Sequence, residues 1–241
     1  GGGLIGTSLA LALAHEGHPV RIMEPEADTR AGLEAVLAEG AEPAGGRPQV
    51  GERWPEVARD ADLVVAAVPP PAIGTVLAEV ARLLPAPASA RYVGGHPMAG
   101  SERSGPAAAD ATLFTGVTWV LTPTPATDDA ALTAAGELVR TAGGRALVLS
   151  PEEHDTIVGL VSHLPQLVAS VLADVAAEAV GADRDAVMAV AGPGFRDTTR
   201  IAASDAGLWL AIVDANRPAV ERALAAFRGR LDEVAAAVGE G

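Results

Sequence analysis

Gly1-Gly2-Gly3-Leu4-Ile5-Gly6 is the stretch whose reading decides the fold. Gly1, Gly3 and Gly6 fall in G-x-G-x-x-G spacing. In that pattern the first glycine makes a tight turn and the second lets a pyrophosphate approach the backbone. The third lets a helix pack closely on a strand. The helix that follows offers free N–H groups and a positive dipole end to the phosphates. Leu4 and Ile5 form its first turn, the apolar run continues to Ala14, and Gly17 stands where a left-handed residue closes a helix. No Lys or Arg precedes the run, so it reads as this helix and not as the core of a signal peptide. Residues 20–23 then read as a short strand that ends in Glu24. That is close to the roughly 20-residue offset of the ribose-binding acid in such units. A carboxylate there accepts hydrogen bonds from ribose hydroxyls and repels a 2′-phosphate, which favours NAD over NADP. Gly1, Gly3, Leu4, Ile5, Gly6 and Glu24 are therefore expected to bind the cofactor.

A second stretch carries a titratable group. Gly94-Gly95-His96-Pro97-Met98-Ala99-Gly100-Ser101-Glu102 fixes an imidazole between two glycines and a proline. The glycines allow close backbone approach and Pro97 restricts φ just after the histidine. A held imidazole is the commonest protein base. The plain alternative is a tight turn in which His96 satisfies a backbone carbonyl.

Composition bounds the class. The 241 residues are enough for one large or two smaller cores. Apolar residues make up 49% of the chain, well above a disordered composition. No uninterrupted apolar run reaches the ~18 residues of a membrane span, so no membrane partner is expected. Cysteine is absent, which removes disulfides and thiolate chemistry and permits a cytoplasmic setting. A formal charge of −14 argues against a nucleic-acid surface, and any anionic substrate must be held by a local arginine. All 17 basic residues are arginine, so no lysine serves as Schiff base or general acid. Histidines and carboxylates show no H-E-x-x-H or H-x-x-E-H spacing, and no metal site is expected.

The organisation reads as two halves. Strands are expected at 20–23, 63–68, 92–93, 119–122 and 146–149, and helices at 2–15, 29–39, 71–84 and 128–141. That alternation marks a parallel α/β sheet. At Ser150-Pro151-Glu152-Glu153 a helix starts, with Ser as N-cap, Pro at N1 and Glu at N3. Beyond it the chain reads as all-helical. The expected architecture is an α/β Rossmann-type nucleotide-binding domain over 1–150, followed by an all-α dimerisation domain over 151–241. Helical segments at 167–180 and 187–190 are apolar enough to bury a face against a partner chain.

The two glycine motifs together resemble the prephenate/arogenate dehydrogenase family of tyrosine biosynthesis. The resemblance extends to Ala61-Asp62-Leu63-Val64-Val65-Ala66-Ala67-Val68-Pro69, Trp119-Val120-Leu121-Thr122-Pro123, Ser162-His163-Leu164-Pro165 and Asp197-Thr198-Thr199-Arg200-Ile201-Ala202, with Trp209 and Asn216 closing the pattern. It implies a cytoplasmic, NAD-dependent homodimer, joined through the helical domain, that oxidatively decarboxylates prephenate or arogenate. It places Val68 and Pro69 beside the cofactor. His96 and Ser162 become catalytic candidates: His96 takes a hydrogen bond or proton from the substrate hydroxyl, and Ser162 bonds substrate or His96. Arg200 would bind a substrate carboxylate, Asp197 would orient Arg200, and Glu102 would stand near the entrance. Gln166 lies where many members carry histidine, and bears on the choice between keto-acid and amino-acid side chains. The family pattern also has a strand ahead of the glycine loop and a strand with a Ser-Val-Lys-type motif after Pro85. Neither lies in this sequence: either both exist in the intact enzyme, the favoured reading because a central strand is hard to delete from a packed sheet, or this is a deleted, inactive form.

Other readings stay open at this point. A non-catalytic dinucleotide-binding dimer shares the glycine loop. So does a β-hydroxyacid dehydrogenase, although such enzymes use a lysine that this chain lacks. Arg200 alone reads equally as a surface ion-pair residue, and Trp209 as core or dimer packing. His163 reads as a satisfied interior histidine, His154 as a first-turn residue, and His15 and His18 as helix-end residues.

Overall fold

A computed structural model describes residues 1–39, 42–58, 61–68, 70–83, 93–100, 103–179 and 184–240. The chain divides into two compact units, Gly1–Pro151 and Glu152–Gly241.

In the first unit, helix α1 (Leu4–His15) starts directly from the glycine loop. Gly17, at φ 91°, closes it, and the following amide of His18 returns to the Leu13 carbonyl at 3.0 Å. Strand β1 (Arg21–Met23) follows, then α2 (Ala27–Ala38), β2 (Gln49–Gly51), the short α3 (Trp54–Val57) and α4 (Pro70–Leu83). β1 and β2 pair in parallel, Ile22 opposite Val50. A second sheet holds β3 (Gly94–Pro97), β4 (Thr118–Thr122) and β5 (Arg145–Val148), in the order β3-β4-β5, with α5 (Asp129–Thr141) leading into β5.

α1 is apolar all round because it is buried on two sides. Leu9 and Ala12 join Phe114, Trp119, Leu121, Val139 and Ala142 in one core. Ala10 joins Ile22, Leu33 and Leu37 in the other. Phe114 and Trp119 meet at a centroid distance of 4.9 Å, within the range of a favourable aromatic pair.

Three strand expectations need correction. First, β4 and β5 are parallel, but β3 runs antiparallel to β4, with His96 opposite Val120. An antiparallel strand needs no crossover helix, and the described residues of 98–117 supply only a 3₁₀ turn and loops. Secondly, the Gly-Gly-His-Pro segment is this strand and not a tight turn. A Cβ on Gly94 would collide with Thr122 Oγ1, and one on Gly95 would lie 3.0 Å from Trp119 Nε1, so both glycines serve the close approach of β3 to β4. Thirdly, 63–68 forms no strand. A strand exists only through a paired neighbour, and no described residue pairs with it. A cavity of about 1000 Å³ lies there, lined by Leu9, Ala10 and Leu13 of α1, Ile22 of β1, and Val65 and Ala67. Of the expected strand at 92–93, Tyr92 lies outside the described residues.

The second unit is helical. α6 (Pro151–Val158) runs through a π turn (Gly159–His163) into α7 (Leu164–Ala179). Then come α8 (Arg184–Val190), α9 (Pro193–Thr199), a 3₁₀ turn (Arg200–Ala203), α10 (Ala206–Ala215) and α11 (Arg217–Glu240). Buried Val158, Ala169, Ala219, Val220 and Ala223 form its interior. Small side chains let these helices cross closely: a Cβ on Gly159 would stand only 3.2 Å from Ala219 Cβ. Val161, Val171, Val175 and Leu210, and Leu231, Val234 and Val238 of α11, are exposed. The continuous helical run Pro151–Glu178 contains an 18-residue window of mean hydropathy 1.6, long and apolar enough by length and composition alone to cross a membrane.

Candidate functional site

The nucleotide loop is built as its spacing demands. A Cβ on Gly1 would strike the Ala67 carbonyl, and one on Gly6 would strike the carbonyl of Gly1. A Cβ on Gly3 would meet nothing within 4 Å. Two glycines thus serve backbone packing, while the middle one leaves an open approach to the N-terminus of α1. Gly3 is the N-cap of α1, makes no side-chain cap, and no acidic residue stands in the first turn. The free N–H groups and the positive dipole end suit a diphosphate. Thr7 is fully buried and its Oγ1 donates to the Gly2 carbonyl at 3.0 Å, which ties the helix back to the loop. Leu4 and Ile5 form the first turn, and Ile5 packs on the core around Leu9.

Glu24 follows β1 and turns back under the loop. It is 8% exposed. Its Oε2 accepts the Gly2 N–H at 2.8 Å and its Oε1 accepts the Glu26 N–H at 3.1 Å. Each carboxylate oxygen has a second lone pair, so a ribose hydroxyl can still be received. The residue therefore fixes the loop, a role its spacing did not reveal. Arg30 buttresses it, donating to the carbonyls of Glu24 and Pro25 at 3.0 and 3.1 Å and pairing with Glu52 at 3.3 Å. Val68 lies against Gly1, its Cγ1 3.3 Å from where a Cβ would be. The residues present fit a dinucleotide. Pro69 and Glu102 lie outside the described residues.

His96 is exposed on β3 in the same unit. Its backbone is held in the ladder opposite Val120, and Met98 N–H bonds to the Thr118 carbonyl at 2.9 Å beyond it. The ring thus projects from a sheet and not from a loose loop.

The helical unit carries the remaining candidates. Ser162 sits half-buried in the π turn. Gln166, one turn on, is 4% exposed and its Nε2 donates to the Ile201 carbonyl at 2.9 Å. This links α7 to the 3₁₀ turn that begins at Arg200. One N–H of the amide is thereby used in fixing the arginine's turn. Arg200 itself is exposed. Asp197 is exposed at the end of α9, and among the described residues no ion pair joins it to Arg200. The α-helix ends at Thr199 and the backbone tightens into the 3₁₀ turn, which changes the helical phase that a three-residue spacing relies on.

A polar cluster around His163 was not legible in the sequence. His163 is 7% exposed and Asn216 8%. Asn216 Nδ2 lies 3.3 Å from His163 Nδ1 and donates to the Asp155 carbonyl at 2.8 Å. The Trp209 ring stands edge-on to the imidazole, centroids 6.1 Å apart. His154 pairs with Asp155 at 2.9 Å. Burial, with His154 nearby, holds the His163 imidazole below its ordinary pKa, against an opposing pull from Asp155.

Fold and loop together define a Rossmann-type nucleotide-binding domain followed by a helical domain. Residues 150–241 match the prephenate dehydrogenase dimerization domain, and 84–148 match the prephenate dehydrogenase nucleotide-binding domain. Residues 1–87 match the coenzyme F420-dependent NADP oxidoreductase family. A cyclohexadienyl dehydrogenase from Zymomonas mobilis is 31% identical over 204 residues, covering 76% of this chain and 70% of its own. A prephenate dehydrogenase from Bacillus subtilis is 38% identical over 131 residues, covering 54% of this chain and 35% of its own. The chain thus spans about a third of that relative's length. The solved structure of an A. aeolicus prephenate dehydrogenase, in complex with hydroxyphenyl propionate and NAD+, is 25% identical, with a TM-score of 0.82. It covers 100% of this chain and 89% of the other. The chain belongs to the prephenate/arogenate dehydrogenase family.

Proposed function

We propose that the chain catalyses the NAD-dependent oxidative decarboxylation of prephenate to 4-hydroxyphenylpyruvate, or of arogenate to tyrosine. One observation carries the reading: the N-terminus of α1 is uncapped and open at Gly3, with buried Glu24 bonded to the same loop. Bound NAD supplies the hydride acceptor. The chain's residues do the rest. Gly1, Gly3 and Gly6 bring the backbone to the pyrophosphate, and the first turn at Leu4 and Ile5 supplies N–H donors. Glu24 receives ribose hydroxyls and repels a 2′-phosphate, which favours NAD. Val68 and Pro69 border the cofactor.

His96 accepts the proton of the ring hydroxyl as the carbinol carbon loses hydride and its C–O bond becomes a carbonyl. The ring carboxylate then leaves as carbon dioxide, its bonding pair enters the ring, and the oxygen regains a proton as the phenol forms. Aromatisation drives the sequence forward. Ser162 hydrogen-bonds the substrate, and Arg200 holds a substrate carboxylate through its fork of donors. Gln166 serves by fixing the Arg200 turn, Asp197 contributes local negative charge beside it, and Glu102 borders the entrance. The exposed apolar faces of the helical run and α11 are covered by a second copy of the chain. The setting is cytoplasmic.

His96→Asn tests the base. It should lower kcat by about 10²–10⁴-fold, the usual range for a general base, with much less change in KM. Turnover equal to that of the unaltered chain removes His96 from the reaction.

A further inference from the structure

We infer that His163 is a positioning residue: through Asn216 it holds the corner between α10 and α11 against the π turn that carries Ser162, and this corner loosens when the imidazole gains a proton. The inference rests on the proposed function for its link to substrate. Asn216 is both the last-turn cap of α10 and the acceptor of the Val220 N–H, at 3.1 Å, that opens α11. Its nitrogen must face the Asp155 carbonyl, which only accepts, so the same nitrogen faces His163 Nδ1. An amide N–H against a ring nitrogen requires a lone pair on Nδ1, and the ring proton therefore sits on Nε2. The cluster is enclosed by Trp209 on α10 and by the close crossing of Gly159 on Ala219. Such π turns recur at functional sites.

The charged groups facing the ring are His154 and Asp155, both from α6. Those from α10 and α11, Trp209 and Asn216, carry no charge. Protonation of His163 sets an N–H on Nδ1 against the N–H of Asn216. Turning the Asn216 amide over relieves that clash but strips the Asp155 carbonyl of its donor. Either way a polar group of the cluster, at the buried Asn216–His163 contact or at the Asp155 carbonyl, loses its partner. Ser162 immediately precedes His163, so the loss falls on substrate binding. KM should rise on the acid side, by up to about tenfold per pH unit below the His163 midpoint, without a matching limb in kcat.

The test follows the His163 ring by NMR titration in the full chain, alongside KM for prephenate or arogenate against pH. Asn216→Asp supplies a carboxylate that accepts from the protonated ring. It should move the His163 midpoint up by about one pH unit or more and abolish the acid rise in KM, because the protonated ring then keeps a partner. His163→Asn places a non-titrating acceptor where Nδ1 stands and should flatten that rise. The inference is overturned if the midpoint stays put in Asn216→Asp, if the acid rise in KM persists there, or if His163→Asn keeps the native rise. His163→Asn decides alone should Asn216→Asp not fold. A chain that turns over neither substrate sinks the proposed function. Hydrogen exchange at the Val220 amide then decides: protection lost along the His163 titration supports the tie, and protection indifferent to it refutes the tie.

Discussion

Glu24 holds the nucleotide loop, and under the proposed function the same carboxylate sets the choice of cofactor. Its oxygens hold the amides of Gly2 and Glu26, so removal loosens the loop as well as lifting the repulsion of a 2′-phosphate. Glu24→Ala should weaken both cofactors and raise the NADP-to-NAD affinity ratio by about tenfold, the effect of losing ~1.4 kcal/mol of discrimination. Fluorescence titration with each cofactor reads this, and an unchanged ratio places selectivity elsewhere. The residue was legible because the glycine triplet and the acid are separated by one helix and one short strand. Its bond to Gly2 was not, since spacing gives a position and not a partner. The tie between His163 and Asn216 was less legible still: 53 residues separate them, and neither type announces the other.

Among the elements, α7 and the 3₁₀ turn are tied together, and under the proposed function this pair positions Arg200. Gln166 reaches from one to the Ile201 carbonyl of the other, and that carbonyl also receives Ser204 Oγ at 2.7 Å. Gln166→Ala should cost about 1–3 kcal/mol, the range for disrupting a buried hydrogen bond. It should also raise KM more than it lowers kcat, because the Arg200 turn is released. Urea unfolding and steady-state kinetics check the two parts; unchanged stability and KM together would leave Gln166 without this role. Helices were read closely from sequence: α1 with its Gly17 stop, and α6 starting at Pro151 after Ser150. The strands were read less well. β2 has one aliphatic residue in three, and 63–68 has the composition of a buried strand without a described partner. β-structure depends on neighbours distant in sequence, and no local pattern supplies them.

At the scale of the whole molecule, the division into an α/β unit and a helical unit follows from where alternating strand patterns stop. The helical unit leaves Val161, Val171 and Val175, and the α11 residues Leu231, Val234 and Val238, in solvent. A monomer rarely leaves so many large apolar side chains exposed. A second copy covering it should give a homodimer by light scattering. Val171→Glu together with Leu231→Glu should shift it to monomer at micromolar concentration. A monomeric native chain would contradict the dimer.

The most direct test of the central claim is NADH formation by the purified chain, given NAD and either prephenate or arogenate. Turnover with one of them is the predicted result, and its identity names the substrate. A folded, NAD-binding protein that turns over neither would contradict the account and leave a dinucleotide-binding dimer without dehydrogenase activity.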